Sequence, residues 1–193
     1  MMARRVVFAA ALLALAASVA VYPWLPDRVP VHFDLAGHAD GWASRPMGAF
    51  LLPAIGLVLI PLALLRQRGA ATVVASVSAF VAGLHVLVLR AALGDGTLGS
   101  AIWILCGAFF VVLGLLLPRV RQNRWIGVRT PWAMRSPEVW ARTQRVGGYA
   151  MLASGVVVLL SAGDNGPVGL AVRLVAILGG SLVPMIYSWR IAS

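Results

Sequence analysis

Residues 119–145 read RVRQNRWIGVRTPWAMRSPEVWARTQR and lie between two uncharged apolar runs, at 97–117 and 146–163. The segment contains seven arginines, three tryptophans and a single acid, Glu138. Tryptophan is enriched where a membrane meets water, and positive charge is concentrated in cytoplasmic loops. The segment therefore predicts a membrane protein in which residues 118–145 form a basic cytoplasmic loop.

The composition of the 193 residues supports the same class. Hydrophobic residues make up 61% of the chain, charged residues make up 11%, and the mean hydropathy is +0.90. A soluble domain carries about 25% charged residues, so a soluble globular enzyme is a poor fit. The net charge of +10 falls in short loops between apolar runs, so we expect no nucleic-acid partner. The single cysteine, Cys106, excludes an intramolecular disulfide.

Six apolar runs are each close to the roughly 20 residues that a helix needs to cross a bilayer. Because lipid leaves open backbone groups without partners, the runs predict an all-α polytopic helical bundle formed by a single membrane domain. The predicted spans are 6–22, 47–65, 69–90, 97–117, 146–163 and 169–189. Residues 23–46 then form an exported loop, and small residues at 75, 79 and 83 predict a close helix contact in the third span.

The placement of arginine predicts the orientation of this bundle. With the N-terminus in the cytoplasm, twelve arginines fall inside and four fall outside, namely Arg28, Arg45, Arg90 and Arg173. Five of the six acids fall outside as well. An excess of positive charge marks the cytoplasmic side, so both termini are predicted inside.

The first apolar run has a second interpretation. Arg4 and Arg5, an apolar stretch and the small residues at 18–20 together resemble a secretory signal with a cleavage site. The aromatic and proline residues at 22–24 are more typical of an interfacial anchor, which favours an uncleaved helix. The next loop is exported under either interpretation.

The exported loop carries the spacing H-x-D-x3-H-x-D, formed by His32, Asp34, His38 and Asp40. All four are residue types that ligate zinc, so a divalent-metal site is one hypothesis for this loop. The alternative is structural, with His32 and Asp34 hydrogen-bonding the loop over the helix ends. Apart from this metal, the sequence predicts no cofactor.

The same loop matches the pattern L-P-D-x-V-P-x-H-F-D-x-x-G-x-x-D-G-W. This pattern resembles the N-terminal domain of unknown function that often accompanies the SdpI family of bacterial membrane proteins. The candidate residues are Pro30, His32, Asp34, Gly37, Asp40, Gly41 and Trp42. The resemblance implies a shared architecture more than a known chemistry.

A more specific resemblance lies in the basic loop. The SdpI-like pattern N-x-x-x-G-[IV]-R-[ST]-P-W, followed by W-x-x-T, is matched by Asn123, Gly127, Val128, Arg129, Thr130, Pro131, Trp132, Trp140 and Thr143. The best-understood member of that family protects a bacterium from its own secreted toxin and holds a transcriptional repressor at the membrane when toxin is present. This chain departs from the pattern at Gln144, where histidine or asparagine is expected.

The physical chemistry of the basic loop predicts a turn followed by a helix. Thr130 precedes a proline and therefore avoids the helical region. Ser136 is a good N-cap and Pro137 a good first helical residue, so a helix is expected from Pro137 to about Arg145, leading into the fifth span. The segment, including Arg124 and the tryptophans Trp125, Trp132 and Trp140, is predicted to contact lipid headgroups or a partner protein.

These observations predict a non-enzymatic protein of the bacterial cytoplasmic (inner) membrane. The resemblance implies immunity to a secreted membrane-active toxin, or signalling by sequestering a cytoplasmic regulator. The expected partners are the lipid bilayer, a toxin on the outer side and a repressor on the inner side. The sequence leaves open whether the chain forms a homo-oligomer.

Two other classes remain as alternatives. One is a small-solute or ion transporter or channel, in which His85, an ionisable residue within the third span, and proline-kinked helices line a path. The other is a metal-binding membrane enzyme built on the four exported histidines and aspartates.

Overall fold

A computed structural model describes residues 2–64 and 70–192 of the chain. In that part of the chain, six helices are long and apolar enough to cross a membrane, which confirms the predicted helical membrane bundle. The helices are α1 (Met2–Val21), α2 (Arg45–Ala63), α3 (Ala70–Leu93), α4 (Ser100–Leu116), α5 (Pro137–Leu160) and α6 (Pro167–Arg190). The predicted limits at residues 65 and 69, together with Arg66 and Arg68, lie outside the described residues.

The exported loop folds into a small antiparallel hairpin, which the prediction of an all-helical chain did not include. Its strands are β1 (Arg28–Phe33) and β2 (Ala39–Ser44), and residues 28–44 are called the exported hairpin below. Val29 is fully buried between the hairpin and the outer ends of α2 and α3, where it packs with Ala49 and Val88. Apolar residues on one face thus anchor the hairpin to the bundle.

The fifth helix begins at Pro137, as the sequence predicted, and it continues without a break into the span that was predicted to begin at residue 146. The Ser136 hydroxyl accepts a hydrogen bond from the Val139 N–H at 3.1 Å, so the predicted N-cap is present. Continuous apolar character marks only the part of a helix that meets lipid. The earlier turns of α5 carry charge on one side, so the apolar run begins later than the helix does.

The bundle consists of two three-helix halves. In the first half α1 packs on α2 and α3, and in the second half α5 packs on α4 and α6, while a contact between α3 and α4 joins the halves. The predicted small-residue stripe does not serve a single neighbour, since Ala75 packs in a cluster with Val7 of α1, and Gly83 lies against Leu105 of α4.

Glycine forms the seam between α4 and α5. A Cβ atom on Gly114 would lie 2.6 Å from the backbone nitrogen of Leu152 and 2.7 Å from the carbonyl oxygen of Gly148. Further along α5, a Cβ on Gly155 would lie 2.7 Å from the carbonyl oxygen of Gly107. Helices in lipid associate largely through close packing of small residues, so these glycines fix the second half of the bundle.

Both described ends of the chain lie at the same end of the bundle as the basic loop. The Arg4 guanidinium donates to the Ala63 carbonyl at the end of α2, and Ile126 of the basic loop packs against the neighbouring Val7–Val74 cluster. Ser188, near the end of α6, bonds Thr130 of the same loop. The exported hairpin lies at the opposite end, where it packs on Ala49 and Val88. That this end faces outward stays a prediction from the arginines.

Candidate functional site

The loop between α4 and α5, residues 120–136 and called the motif loop below, begins with a turn built by Asn123. The Asn123 side-chain oxygen accepts hydrogen bonds from the N–H groups of Trp125 and Ile126 at 2.7 and 2.8 Å. Its amide nitrogen donates to the carbonyls of Arg121 and Ile126. A single side chain therefore closes the turn that presents Arg124 and Trp125, as short polar side chains commonly do.

Gln144 of α5 holds the centre of the motif loop. Its side-chain oxygen accepts from the Val128 N–H and its amide nitrogen donates to the Val128 carbonyl, both at 2.9 Å. Gln144 is fully buried, so these two bonds satisfy polar groups that water does not reach. The residue that departs from the family pattern thus supplies the contact that docks the loop on α5.

Gly127 is required beside this contact. Its φ of +115° is one that residues with a side chain rarely adopt. A Cβ there would also lie 2.8 Å from the Gln144 side-chain oxygen and 3.0 Å from the Trp140 ring. The glycine of the sequence pattern is therefore explained by backbone conformation and by close approach to α5.

Two further hydrogen bonds attach the motif loop to the bundle. The hydroxyls of Thr130 and Ser188 lie 2.7 Å apart, which ties the loop to the end of α6. The Trp140 indole N–H donates to the Val120 carbonyl at 2.8 Å. The loop is consequently a fixed part of the second half, bonded to α5 and α6 at both of its arms.

The structure corrects the predicted contact set for lipid or a partner. Trp140 and Thr143 are buried inside the protein, because α5 begins early and turns both side chains inward. Thr130 is buried too, and Gly127 and Trp132 are half-buried. The exposed members of the set are Arg124, Trp125, Arg129 and Pro131.

The exposed face of the motif loop, called the basic platform below, comprises Arg121, Arg124, Trp125, Arg129 and Arg135. Within the part of the chain that the structure describes, none of its four guanidinium groups forms an ion pair. Trp125 adds a large apolar surface that is 58% exposed. A surface of this kind can bind carboxylate or phosphate groups through paired N–H donors.

Replacing Gln144 by alanine is expected to release the motif loop from α5. The Val128 N–H and carbonyl would lose their partners, at a cost of about 1–3 kcal/mol for each buried group left unsatisfied. Hydrogen exchange should show the Val128 amide losing protection at least about tenfold, while α2 and α3 keep theirs. Thr130→Val is the matched control, because it removes the hydrogen bond from the loop to Ser188 of α6 and leaves both bonds between Gln144 and Val128 in place. Unchanged protection at Val128 in Gln144→Ala would show that other contacts dock the loop.

At the outer end, several residues of the sequence pattern have structural roles in the exported hairpin. Gly37 has a φ of +86° in the turn, and a Cβ on Gly41 would lie 2.8 Å from the Cβ of His32 on the paired strand. Pro30 pairs with Trp42 in the strand register. The Asp34 carboxylate accepts from the N–H groups of Ala36 and His38 at 2.9 Å, and chiefly the His38 bond holds the pKa of Asp34 below its usual value.

The four candidate metal ligands do not converge in this hairpin. His32 Nδ1 lies 2.5 Å from a carboxylate oxygen of Asp40, and His38 Nδ1 lies 3.5 Å from one of Asp34. Within residues 2–64 and 70–192, no group of three or more histidine, cysteine or acidic side chains is arranged to hold a metal. The His32–Asp40 pair joins the two strands and the Asp34–His38 pair closes the turn, so each pair holds the hairpin together, as in the structural alternative.

The hairpin is joined to the α3–α4 loop, a contact that sequence analysis missed. The Ala39 N–H donates to the Gly96 carbonyl at 3.0 Å, and the Leu98 N–H donates to the Gly37 carbonyl at 2.9 Å. The α3–α4 loop thereby adds a third extended segment beside the hairpin turn. The outer end therefore forms one connected surface that spans both halves.

His85 is fully buried and joins three helices of the first half. Its Nε2 lies 2.7 Å from the hydroxyl of Ser18 in α1, and that hydroxyl lies 2.6 Å from the carbonyl oxygen of Ala49 in α2. The sequence also offers Ser154 and Ser161 as partners for His85, but in the structure both hydroxyls donate to carbonyls of α5.

The positions of these atoms assign the tautomer of His85. A carbonyl oxygen only accepts, so the Ser18 proton is directed to Ala49, and His85 Nε2–H donates to the serine oxygen. This is the reverse of the arrangement in which a histidine takes the proton of a nucleophilic serine.

Fold and site together define a multi-pass helical membrane protein with a structured basic loop at one end and a hairpin at the other. Residues 119–188 match the SdpI/YfhL protein family, and residues 9–57 match a domain of unknown function, DUF1648. The chain is also 21% identical to the Immunity protein SdpI of Bacillus subtilis (strain 168) over 183 residues, which are 90% of this chain and 87% of that protein. No solved structure matches. The chain is thus similar to the SdpI family in both of the segments that carry the sequence motifs.

Proposed function

We propose that this protein confers immunity to a secreted, membrane-active toxin in the bacterial cytoplasmic membrane and signals the toxin's presence to a cytoplasmic regulator. The observation that carries the proposal is the similarity to an immunity protein along nearly the whole chain, 90% of it. The two matched segments contain the exported hairpin and the motif loop, which lie at opposite ends of the bundle. The proposal involves no catalytic step.

On the inner side, the rigidity of the motif loop supports a docking role. Gln144, Trp140 and Ser188 hold the loop from beneath, so that the basic platform is presented by a backbone that is already ordered. A backbone that is already ordered loses little further entropy on binding, which favours association with a partner. Unpaired guanidinium groups favour an acidic protein surface as that partner.

On the outer side, the connection between the hairpin and the α3–α4 loop supports a sensing role. Toxin that contacts the hairpin would act on α3 and α4 together, and α4 packs on α5, which carries Gln144. The path from the outer surface to the motif loop therefore follows packed helices. Toxin binding at the outer end can change the motif loop only if the bundle has two conformations that differ in their affinity for toxin.

The immunity role is tested by deleting the gene in its own organism. Cells without the protein are expected to lose viability in medium conditioned by the parent strain, and expression of the wild-type chain should restore survival. A deletion strain that survives as well as its parent would contradict the proposed immunity. Because conditioned medium contains the secreted toxin, the experiment does not require the toxin to be identified.

Arg129→Ala tests the signalling role. Loss of a paired guanidinium contact is worth about 1.5–3 kcal/mol, so the transcriptional response to conditioned medium should fall at least about tenfold. The amount of protein in the membrane should not change, because the Arg129 side chain is exposed and makes no ion pair with another described residue.

Arg145→Ala is the matched control, since Arg145 is an exposed arginine in the early turns of α5 that lies outside the basic platform and outside the sequence pattern. A response that falls equally in both variants would indicate general attraction to an anionic membrane. A parallel loss of protein from the membrane in Arg129→Ala would indicate a role in folding. Either result would overturn the assignment of Arg129 as a docking residue.

A further inference from the structure

A small pocket lies at the outer end of the second half, beneath the turn of the exported hairpin. Its volume is about 60 Å³, and its lining includes Ala36 of the hairpin turn, Trp103 of α4, Asn165 of the α5–α6 loop and Arg173 of α6. Ala36 and Asn165 are exposed, so the pocket borders the surface that we assign to the outside. Leu35 and Leu170 make part of its wall apolar.

Arg173 is the unusual member of this lining, because it is only 2% exposed. One terminal nitrogen donates to the carbonyls of Ser161 and Asp164, and the guanidinium carbon lies 4.5 Å from the centre of the Trp103 ring. The Nε–H group has no acceptor among the described residues. A buried charge is costly unless it is paired.

Among the described residues, no carboxylate lies within 4 Å of the Arg173 guanidinium. The nearest acid along the chain, Asp164, accepts from the Gly166 N–H at 2.8 Å and lies against Gly169 at the start of α6. Two carbonyls and a ring therefore balance the positive charge only in part. The Nε–H remains without an acceptor among the described residues, and the side chain that carries it lines the pocket.

The chemistry of the site selects its ligand. A guanidinium group offers parallel N–H donors that match the two oxygens of a carboxylate. A cavity needs a volume of about 10–15 Å³ to hold one water molecule, so the pocket has room for the heavy atoms of a carboxylate group. We propose that this pocket binds a single carboxylate group of an extracytoplasmic ligand, with Arg173 as the donor and the apolar wall against the ligand's alkyl part. The proposal rests on the predicted orientation and not on the immunity role.

The test uses the purified full chain in lipid nanodiscs and acetate as the probe. Sodium acetate, with sodium chloride replacing it to hold ionic strength constant, should raise the thermal unfolding midpoint in a saturable way, because a ligand that binds only the folded state stabilises it. Acetamide has nearly the same shape and no charge, and it should produce no shift. No saturable shift with acetate, or an equal shift with acetamide, would overturn the proposal.

Variants at two positions test whether acetate binds in this pocket. Arg173→Lys keeps the charge but removes the Nε–H and the paired geometry, so the apparent dissociation constant for acetate should rise at least about tenfold. Ala36→Phe should fill the pocket from an exposed position without touching the acceptors of Arg173, and it should abolish the shift, whereas Ala36→Ser should retain it. If Arg173→Lys does not fold, the two Ala36 variants decide the matter. An acetate response that survives in Ala36→Phe would contradict this pocket.

Discussion

Replacing Gly114 by alanine is expected to separate α4 from α5 and to remove most of the folded protein from the membrane. The new methyl group would meet the Leu152 backbone nitrogen at 2.6 Å and the Gly148 carbonyl at 2.7 Å, and no side-chain rotation can relieve a clash with backbone atoms. Overpacking of this kind costs about 1–3 kcal/mol and occasionally more. The measurement is the unfolding midpoint of protein in nanodiscs, together with its abundance in membranes.

Gly179→Ala is the matched control for this prediction. Gly179 lies inside α6, and nothing lies within 4 Å of the position that its Cβ would occupy. Alanine is the better helix former by about 0.5–1 kcal/mol, so stability should be unchanged or slightly higher. If Gly114→Ala is as stable as Gly179→Ala, then the glycine seam does not hold the second half together.

His85→Ala is expected to destabilise the first half by about 2–4 kcal/mol, most of which comes from the cavity left among α1, α2 and α3. The lost hydrogen bond to Ser18 contributes less, because bonds between helices in membranes average about 0.6 kcal/mol. Ser18→Ala should therefore be the milder change, and the double variant should show a coupling below about 2 kcal/mol. The measurement is the free energy of unfolding in nanodiscs of His85→Ala, Ser18→Ala and the double variant.

The same variant separates the structural role of His85 from the transport alternative. If His85 is a packing residue, His85→Ala will lower stability while vesicles containing the wild-type protein show no solute flux above protein-free vesicles. Flux through the wild-type protein that disappears in His85→Ala would favour a transporter or channel. That outcome would contradict the structural role argued above.

The sequence predicted those features of the fold that depend on local composition. Apolar length alone identified six spans, and the Ser136–Pro137 pair predicted the start of α5, because N-cap chemistry is decided within a few residues. In the exported loop, weak alternation over residues 29–35 predicts a short extended segment, and Gly37 and residues 40–41 predict turns, but these signals do not predict that two strands pair. The pairing of the hairpin with the α3–α4 loop depends on residues far apart in the chain, and no local pattern reports such contacts.

The candidate site was predicted in part for the same reason. The motif identified the correct loop, but it did not distinguish the exposed Arg129 from the buried Trp140, since burial is decided by where α5 lies. Gln144 was noticed as a departure from the family pattern, while its bonds to Val128 required the folded loop. Ser18 and Ser188 carried no signal, because a serine in an apolar run is common and its partner lies on another helix.

The most direct test of the account is the side of the membrane on which each end lies. In a Cys106→Ala background, Arg129→Cys and Ala36→Cys each provide one thiol at an exposed position, one on the motif loop and one on the exported hairpin. A membrane-impermeant maleimide applied to intact cells is expected to label Ala36→Cys at once and Arg129→Cys only after permeabilisation. Labelling of Arg129→Cys in intact cells, with Ala36→Cys protected, would invert the bundle and contradict the assignment of the basic platform to the cytoplasm.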